Sequence, residues 1–197
     1  MTYDLLITLI SFAFVSSITP GPNNLMLMSS GANFGLRRSV PHMLGIGAGF
    51  VVMILLVGRG LAQLFGRFPV SYVVLKVVSV AYLVFLAWKI ANAAAPEGSD
   101  AQGTPMTFLQ AAAFQWVNPK AWTMALAAIS AYAPDQSLRS IGMVAAVFGA
   151  INLPAVSSWT LLGTGMSRFL TSWGRLRAFN WAMAGLLIAS LIPVLLA

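Results

Sequence analysis

The chain has 197 residues, 59% of them apolar and 8% charged, with four acidic residues in all, and its mean hydropathy is +0.85. A soluble domain carries roughly 25% charged residues on its solvated shell, so a water-soluble enzyme is excluded and the chain belongs in a membrane. The net charge of +7 comes from eleven bases scattered along apolar segments, which read as topology markers and not as a nucleic-acid surface, and the lack of cysteine removes disulfides, thiol redox chemistry and soft-metal sites.

A spanning helix takes about 20 residues, so the length allows about six spans and one domain, residues 1–197. Span one lies in the uncharged stretch Leu5 to Leu36, which is longer than one crossing and is interrupted by Thr19-Pro20-Gly21-Pro22. Met1-Thr2-Tyr3-Asp4 offers an acid and no base ahead of it, unlike the basic start of a cleaved signal, so the segment is expected to stay on the protein. A polar link at Gly35-Leu36-Arg37-Arg38-Ser39 leads to span two, about Pro41 to Leu64, and span three runs to about Ala91, with Arg59 and Lys76 inside these spans. The polar stretch Asn92 to Pro105, with Pro96-Glu97-Gly98-Ser99-Asp100, is the central loop. Span four, about Pro105 to Tyr132, has Asn118-Pro119-Lys120 at its middle and ends at Ala133-Pro134-Asp135-Gln136. Span five contains the uncharged stretch Ser140 to Ser167, and span six the uncharged stretch Ala178 to Ala197. Arg37, Arg38, Lys89, Arg168, Arg175 and Arg177 follow spans one, three and five, against Arg67, Arg139 and Arg59 opposite; the first set marks the cytoplasmic side, and both termini are expected outside.

The fold class that follows is an all-α membrane protein of six transmembrane helices, arranged as a 3+3 inverted repeat with broken helices one and four. Repeat one covers about residues 1–95 and repeat two about 105–197. Halves of three spans run through the membrane in opposite senses, and each half leads with a proline-interrupted span. Aligning Pro22 with Pro119 also aligns Gly45 with Gly142. Paired interruptions point to a midplane binding site, since unwound backbone is tolerated only where protein or a watered cavity satisfies it. Asn118 then Pro119 reads as an N-cap and first-turn proline, and Thr19-Pro20-Gly21-Pro22 can start a half-helix near Asn23. Each start presents free N–H groups and the positive end of a helix dipole, which suit a carboxylate, and Lys120 adds a full charge. A mid-span lysine costs on the order of 2.5 to 3.5 kcal/mol to insert, so an anion or a watered cavity is expected beside it. Asn152 and Pro154 make a further polar, bendable point in span five.

The bland readings are that the prolines only kink helices, that Lys76 and Arg59 snorkel, that Gly45-Ile46-Gly47-Ala48-Gly49 serves close helix packing, and that His42 is an interface residue at a helix entrance. Among membrane functions, an intramembrane serine protease wants a deep histidine, a metal exporter wants His, Cys or several acids, and a cationic-drug exporter wants a buried acid; none is present in the span cores. What remains is a carrier for a small molecule bearing a carboxylate, with no enzyme activity, no cofactor, no metal and no nucleic-acid partner. A non-transporting membrane scaffold or accessory protein, or an exporter of another small carboxylate, is the alternative.

Thr19-Pro20-Gly21-Pro22-Asn23-Asn24, the glycine run after Pro41, Ala81-Tyr82-Leu83-Val84-Phe85-Leu86-Ala87-Trp88-Lys89 and Val117-Asn118-Pro119-Lys120 resemble the LysE/RhtB amino-acid exporter family, over the whole chain. The Pro-Gly-Pro-Asn-Asn segment with Leu25 to Ser30, and Leu86 to Ala91, are most similar to its cysteine and O-acetylserine branch. The resemblance implies a multi-pass efflux carrier of the bacterial inner membrane that releases amino acids or their derivatives by proton antiport. With Asp4 at the edge as the nearest carboxylate, Lys120 is the candidate proton carrier. The substrate carboxylate is expected at Pro22, Asn23, Asn24, Asn118, Pro119 and Lys120, its ammonium on the carbonyls of Thr19, Pro20 and Gly21, with Asn152 facing the cavity. Rocking of one repeat against the other is expected to give alternating access, and a homodimer through the glycine-rich faces is a further expectation.

Overall fold

The computed structural model describes residues 2–61, 63–93 and 104–196, and every regular element among them is helical. The elements are α1 (Tyr3–Ile18), α2 (Pro22–Leu56) running into a π-helical turn (Val57–Leu61), α3 (Gln63–Arg67) and α4 (Pro69–Ala91). Beyond the central link come α5 (Phe108–Phe114), extended by a 3-10 turn (Gln115–Val117), then α6 (Pro119–Tyr132), α7 (Leu138–Ser167), α8 (Trp173–Ala189) and α9 (Ile192–Leu196). Pro96 to Asp100, the core of the expected central loop, lie outside the described residues.

Three of these helical stretches, Pro22–Leu61, Val70–Ala91 and Leu138–Ser167, are long and apolar enough to cross a membrane, and α1 is a shorter apolar helix. The outer face of α4 carries Val70, Val73, Val74, Val77 and Phe85, all exposed, an apolar surface suited to lipid. The chain is a membrane protein.

Local chemistry sets the helix ends. Thr2, Ser137 and Ser172 cap α1, α7 and α8 with their hydroxyls, and Thr107 with Gln110 forms a capping box on α5. Proline opens α2, α4 and α6, where its missing N–H is no loss. Within α2, Gly35 has φ +76° and ψ 171°, a conformation essentially closed to residues with a Cβ. The helix folds back there: the hydroxyls of Ser30 and Ser39 lie 2.7 Å apart, whereas nine residues of straight helix span about 13.5 Å. The link expected over Gly35 to Ser39 is therefore a turn made by one residue, and helix resumes before Pro41. Leu27 on the first limb then packs beside Met43 and Ile46 on the second, with Ala111 and Val156.

Two larger clusters flank that contact. Leu9 and Ala13 of α1, Phe50 and Met53 of α2, Ala125 of α6 and Phe148 of α7 form one, with Phe148 edge-on to Phe12 and Phe50 at 6.0 and 5.4 Å between ring centres. Leu25, Leu83, Phe114, Phe179 and Leu187 anchor the other, between α4 and α8. Glycine brings backbones together where small residues replace side-chain packing as the glue. A Cβ at Gly31 would run into the Thr160 carbonyl, and one at Gly163 into the Met28 carbonyl, so the first limb of α2 lies directly on α7. Gly45 and Gly49 are pressed likewise against Phe108 and Ala112 of α5. This face is occupied within the chain, so it is not free for a second copy. Gly142, the alignment mate of Gly45, has no neighbour within 4 Å of such a Cβ, so their match is not mirrored in packing. His42 is not the helix-entrance interface residue expected: it is 2% exposed, inside the fold.

Candidate functional site

Between α1 and α2 the chain leaves helical geometry for Thr19, Pro20 and Gly21, and between the 3-10 turn and α6 it does so at Asn118. A helix end leaves its last carbonyls without partners inside the helix, and where it is buried the protein must satisfy them. At the first break side chains supply nearly all of them. Asn24 Nδ2 donates to the carbonyls of Ser17 (2.9 Å) and Thr19 (2.8 Å). The Trp159 indole donates to Ile18 (3.1 Å), and the Thr19 N–H closes on Val15. Lys120 Nζ completes the set, donating to the carbonyl of Thr19 at 2.6 Å and reaching that of Pro20 at 3.4 Å.

The second break is closed by its own residues. Asn118 has extended backbone, and its Oδ1 accepts from the Lys120 N–H at 3.2 Å, so it is the N-cap and Pro119 the first residue of α6. The Trp122 indole donates to the Trp116 carbonyl (2.9 Å). Gln115, fully buried, joins the two breaks: Asn23 Nδ2 donates to Gln115 Oε1 at 2.8 Å, and Gln115 Nε2 donates back to Asn23 Oδ1 at 3.2 Å and to the Ala111 carbonyl at 2.9 Å. Asn152 of α7 donates to Ser17 Oγ at 3.1 Å, and its Oδ1 is buried with no partner.

Gly21, Asn23, Asn24, Asn118, Lys120 and Asn152, separated by up to 131 positions, thus line one cavity with Ser17 and Gln115. Thr19 and Pro20 join through the lysine, while Pro22 and Pro119 open the helices that frame it. The void measures about 20 Å³, enough for about one water and too little for an amino acid. Two points differ from the sequence reading. The carbonyls of Thr19 and Pro20 hold the chain's own ammonium, and the positive Lys120, beside which an anion or a watered cavity was expected, is met by carbonyl dipoles at the wall of a polar cavity. Gln115 escaped notice because a glutamine four residues before a proline carries no local signal; its partner lies 92 residues away.

The cluster is a polar, cationic pocket with helix starts, one ammonium and one free acceptor, and it holds no group of carboxylates. Residues 14–195 match the family model described as LysE type translocator. The cysteine/O-acetylserine efflux protein of Klebsiella pneumoniae subsp. pneumoniae is 30% identical over 197 residues, covering 95% of each chain. The protein of the same name from Escherichia coli K12 is 30% identical over 190 residues, covering 95% of this chain and 96% of its own. No solved structure matches.

Proposed function

The chain belongs to the LysE type translocators, a family of transporters and not of enzymes, and on that premise we propose that it is an inner-membrane carrier exporting small neutral amino acids or derivatives of the cysteine and O-acetylserine kind, by proton antiport. Membership in a transporter family sets aside the scaffold reading. The relatives' names suggest the substrate class, and the observation that carries the mechanism is the Lys120 ammonium seated on the Thr19 and Pro20 carbonyls.

Those carbonyls are the natural acceptors for a substrate ammonium, so lysine and substrate compete for one seat. In the empty carrier protonated Lys120 fills it. On the cytoplasmic side Lys120 gives its proton to water and withdraws, and the substrate ammonium takes the carbonyls, with the unpartnered Asn152 Oδ1 as a further acceptor. The substrate carboxylate lies toward the helix starts at Pro22 and Pro119, where Asn23 and Asn118 stand. After release outside, Lys120 takes up a proton and reseats, and the carrier returns. One proton enters for each amino acid that leaves, and the two cannot share the seat, which is what coupling requires.

The six-span 3+3 inverted repeat with broken helices one and four fits this cycle. In each half a break is followed by a helix of similar length (22–34 and 119–132) and then by a long one (36–61 and 138–167). Arg37, Arg38, Lys89, Arg168, Arg175 and Arg177 would face the cytoplasm and both termini the periplasm.

Efflux of labelled O-acetyl-L-serine and L-cysteine from proteoliposomes, with and without a pH gradient, tests the proposal. Wild type should export one or both faster when the gradient drives protons against them. Lys120→Met should abolish the gradient response while retaining substrate exchange between the two sides. Gradient-driven export by folded, inserted Lys120→Met protein would sink the mechanism.

A further inference from the structure

A second cavity, of about 230 Å³, lies one helical turn beyond the central cluster along the first limb of α2, since Met26 lines it and Asn23 lines the first. Met26, Phe34, Leu86 and Met106 make its wall apolar, and His42 and Lys89 give it polar points. His42 is buried, and neither ring nitrogen has a hydrogen-bond partner. An imidazole carries at least one N–H, and burying it unpaired is destabilising unless a ligand answers it. The serine hydroxyls nearby do not: Ser30 is paired with Ser39, and Ser29 accepts from Asn33. Lys89 is exposed and supplies a full positive charge at the cavity.

We propose that this cavity is a second binding site, which takes a small amphipathic carboxylate with its apolar body among the methionines and Phe34 and its carboxylate answered by the His42 N–H and the Lys89 ammonium. The two kinds of wall match the two ends of such a molecule, and the volume admits one where the central cavity does not. On the proposed orientation Lys89 faces the cytoplasm, so the site is a vestibule one helical turn short of the central cluster; that placement, though not the binding itself, rests on the export reading.

Binding is tested with radiolabelled hexanoate and hexylamine by equilibrium dialysis against the protein in nanodiscs, with empty nanodiscs as the blank. Hexanoate lacks the ammonium that the central seat requires, so it reports on the vestibule alone. One saturable hexanoate site per chain is expected, with hexylamine not saturable. Loss of the hydrogen bond to a charged head should weaken hexanoate roughly tenfold in His42→Ala, while His42→Gln, which keeps a donor, binds more tightly than His42→Ala. Met26→Trp, which fills the cavity while leaving the histidine in the sequence, should also abolish binding, and it serves if His42→Ala fails to fold. Lys120→Met should bind hexanoate as wild type does. Equal binding of hexanoate and hexylamine, or wild-type affinity in both His42→Ala and Met26→Trp, overturns the proposal. Loss of hexanoate in Lys120→Met would place the probe in the central cluster and overturn the second site alone, leaving the export reading to its own efflux test.

Discussion

The breaks at residues 19–21 and at residue 118 each lead into a helix opened by proline, but they are satisfied differently. Both place an indole on a carbonyl one or two residues ahead of the interruption, Trp159 on Ile18 and Trp122 on Trp116. Beyond that they part. Asn118 caps its own helix, whereas Gly21 caps α2 without a side chain, and the Thr19 and Pro20 carbonyls borrow Lys120 from the other half. One break is self-sufficient and the other depends on its counterpart. The difference teaches that two similar interruptions need not carry the same chemistry: each leads into a helix opened by proline, and a single lysine ties the carbonyls of one to the helix that starts at the other.

The largest effect that would test this contrast is on the amide pair bridging the breaks. Asn23→Leu leaves the buried Gln115 Oε1 unpaired, Gln115→Leu leaves the half-buried Asn23 amide unpaired, and each should lower stability by about 1–3 kcal/mol, read as thermal unfolding in detergent. The double variant should recover part of this, with a coupling of about 0.6–1.7 kcal/mol as for other hydrogen bonds between membrane helices; full additivity would mean that the breaks are independent. Asn118→Ala removes the cap of the self-sufficient break and should cost about 1 kcal/mol in the same assay.

Gly21→Ala is expected to cost less than about 0.5 kcal/mol in stability, because its extended backbone suits any residue. Its new Cβ, however, would stand 2.7 Å from Lys120 Cδ, so it should displace the lysine and slow gradient-driven efflux. Unchanged efflux would show that the seat tolerates a shifted cation. The smallest effect is expected from Asp135→Asn, at the α6–α7 turn. Hydrogen bonds from Ser140 and Ser137 hold the Asp135 carboxylate below its usual range, so it stays charged across neutral and mildly acid pH. A depressed carboxylate contributes stability above its unfolded pKa, and that contribution is lost as pH falls through the folded one. The pH profile of efflux should therefore be the same in wild type and Asp135→Asn, and any shift between them would give this turn a part in coupling.

Much of the site was legible because it is written in short-range signals. Asn118-Pro119 announces a helix start, and Thr19-Pro20-Gly21-Pro22 announces an interruption, each from two to four adjacent residues. Mean hydropathy alone placed the chain in a membrane. What the sequence hid is what depends on distant partners: the Asn23–Gln115 pair, the occupation of the Thr19 carbonyl by Lys120, and the burial of His42. The sharp reversal at Gly35 was read as a longer link because a single glycine gives no hint of φ +76°. Gly45 and Gly49 were correctly read as close-packing positions, but only three-dimensional contact shows that α5 is the element they meet.

The seam at Gly31 and Gly163 bears on how the molecule is made. It joins a helix from the first half of the chain to one from the second, backbone against backbone. During synthesis the groove at Gly31 leaves the ribosome long before Thr160 exists, and at ordinary elongation rates it waits on the order of ten seconds for its partner. Over that interval the glycine strip of the first half lacks the backbone it packs against in the finished fold. The seam therefore makes the packing of the first half wait on the synthesis of the second.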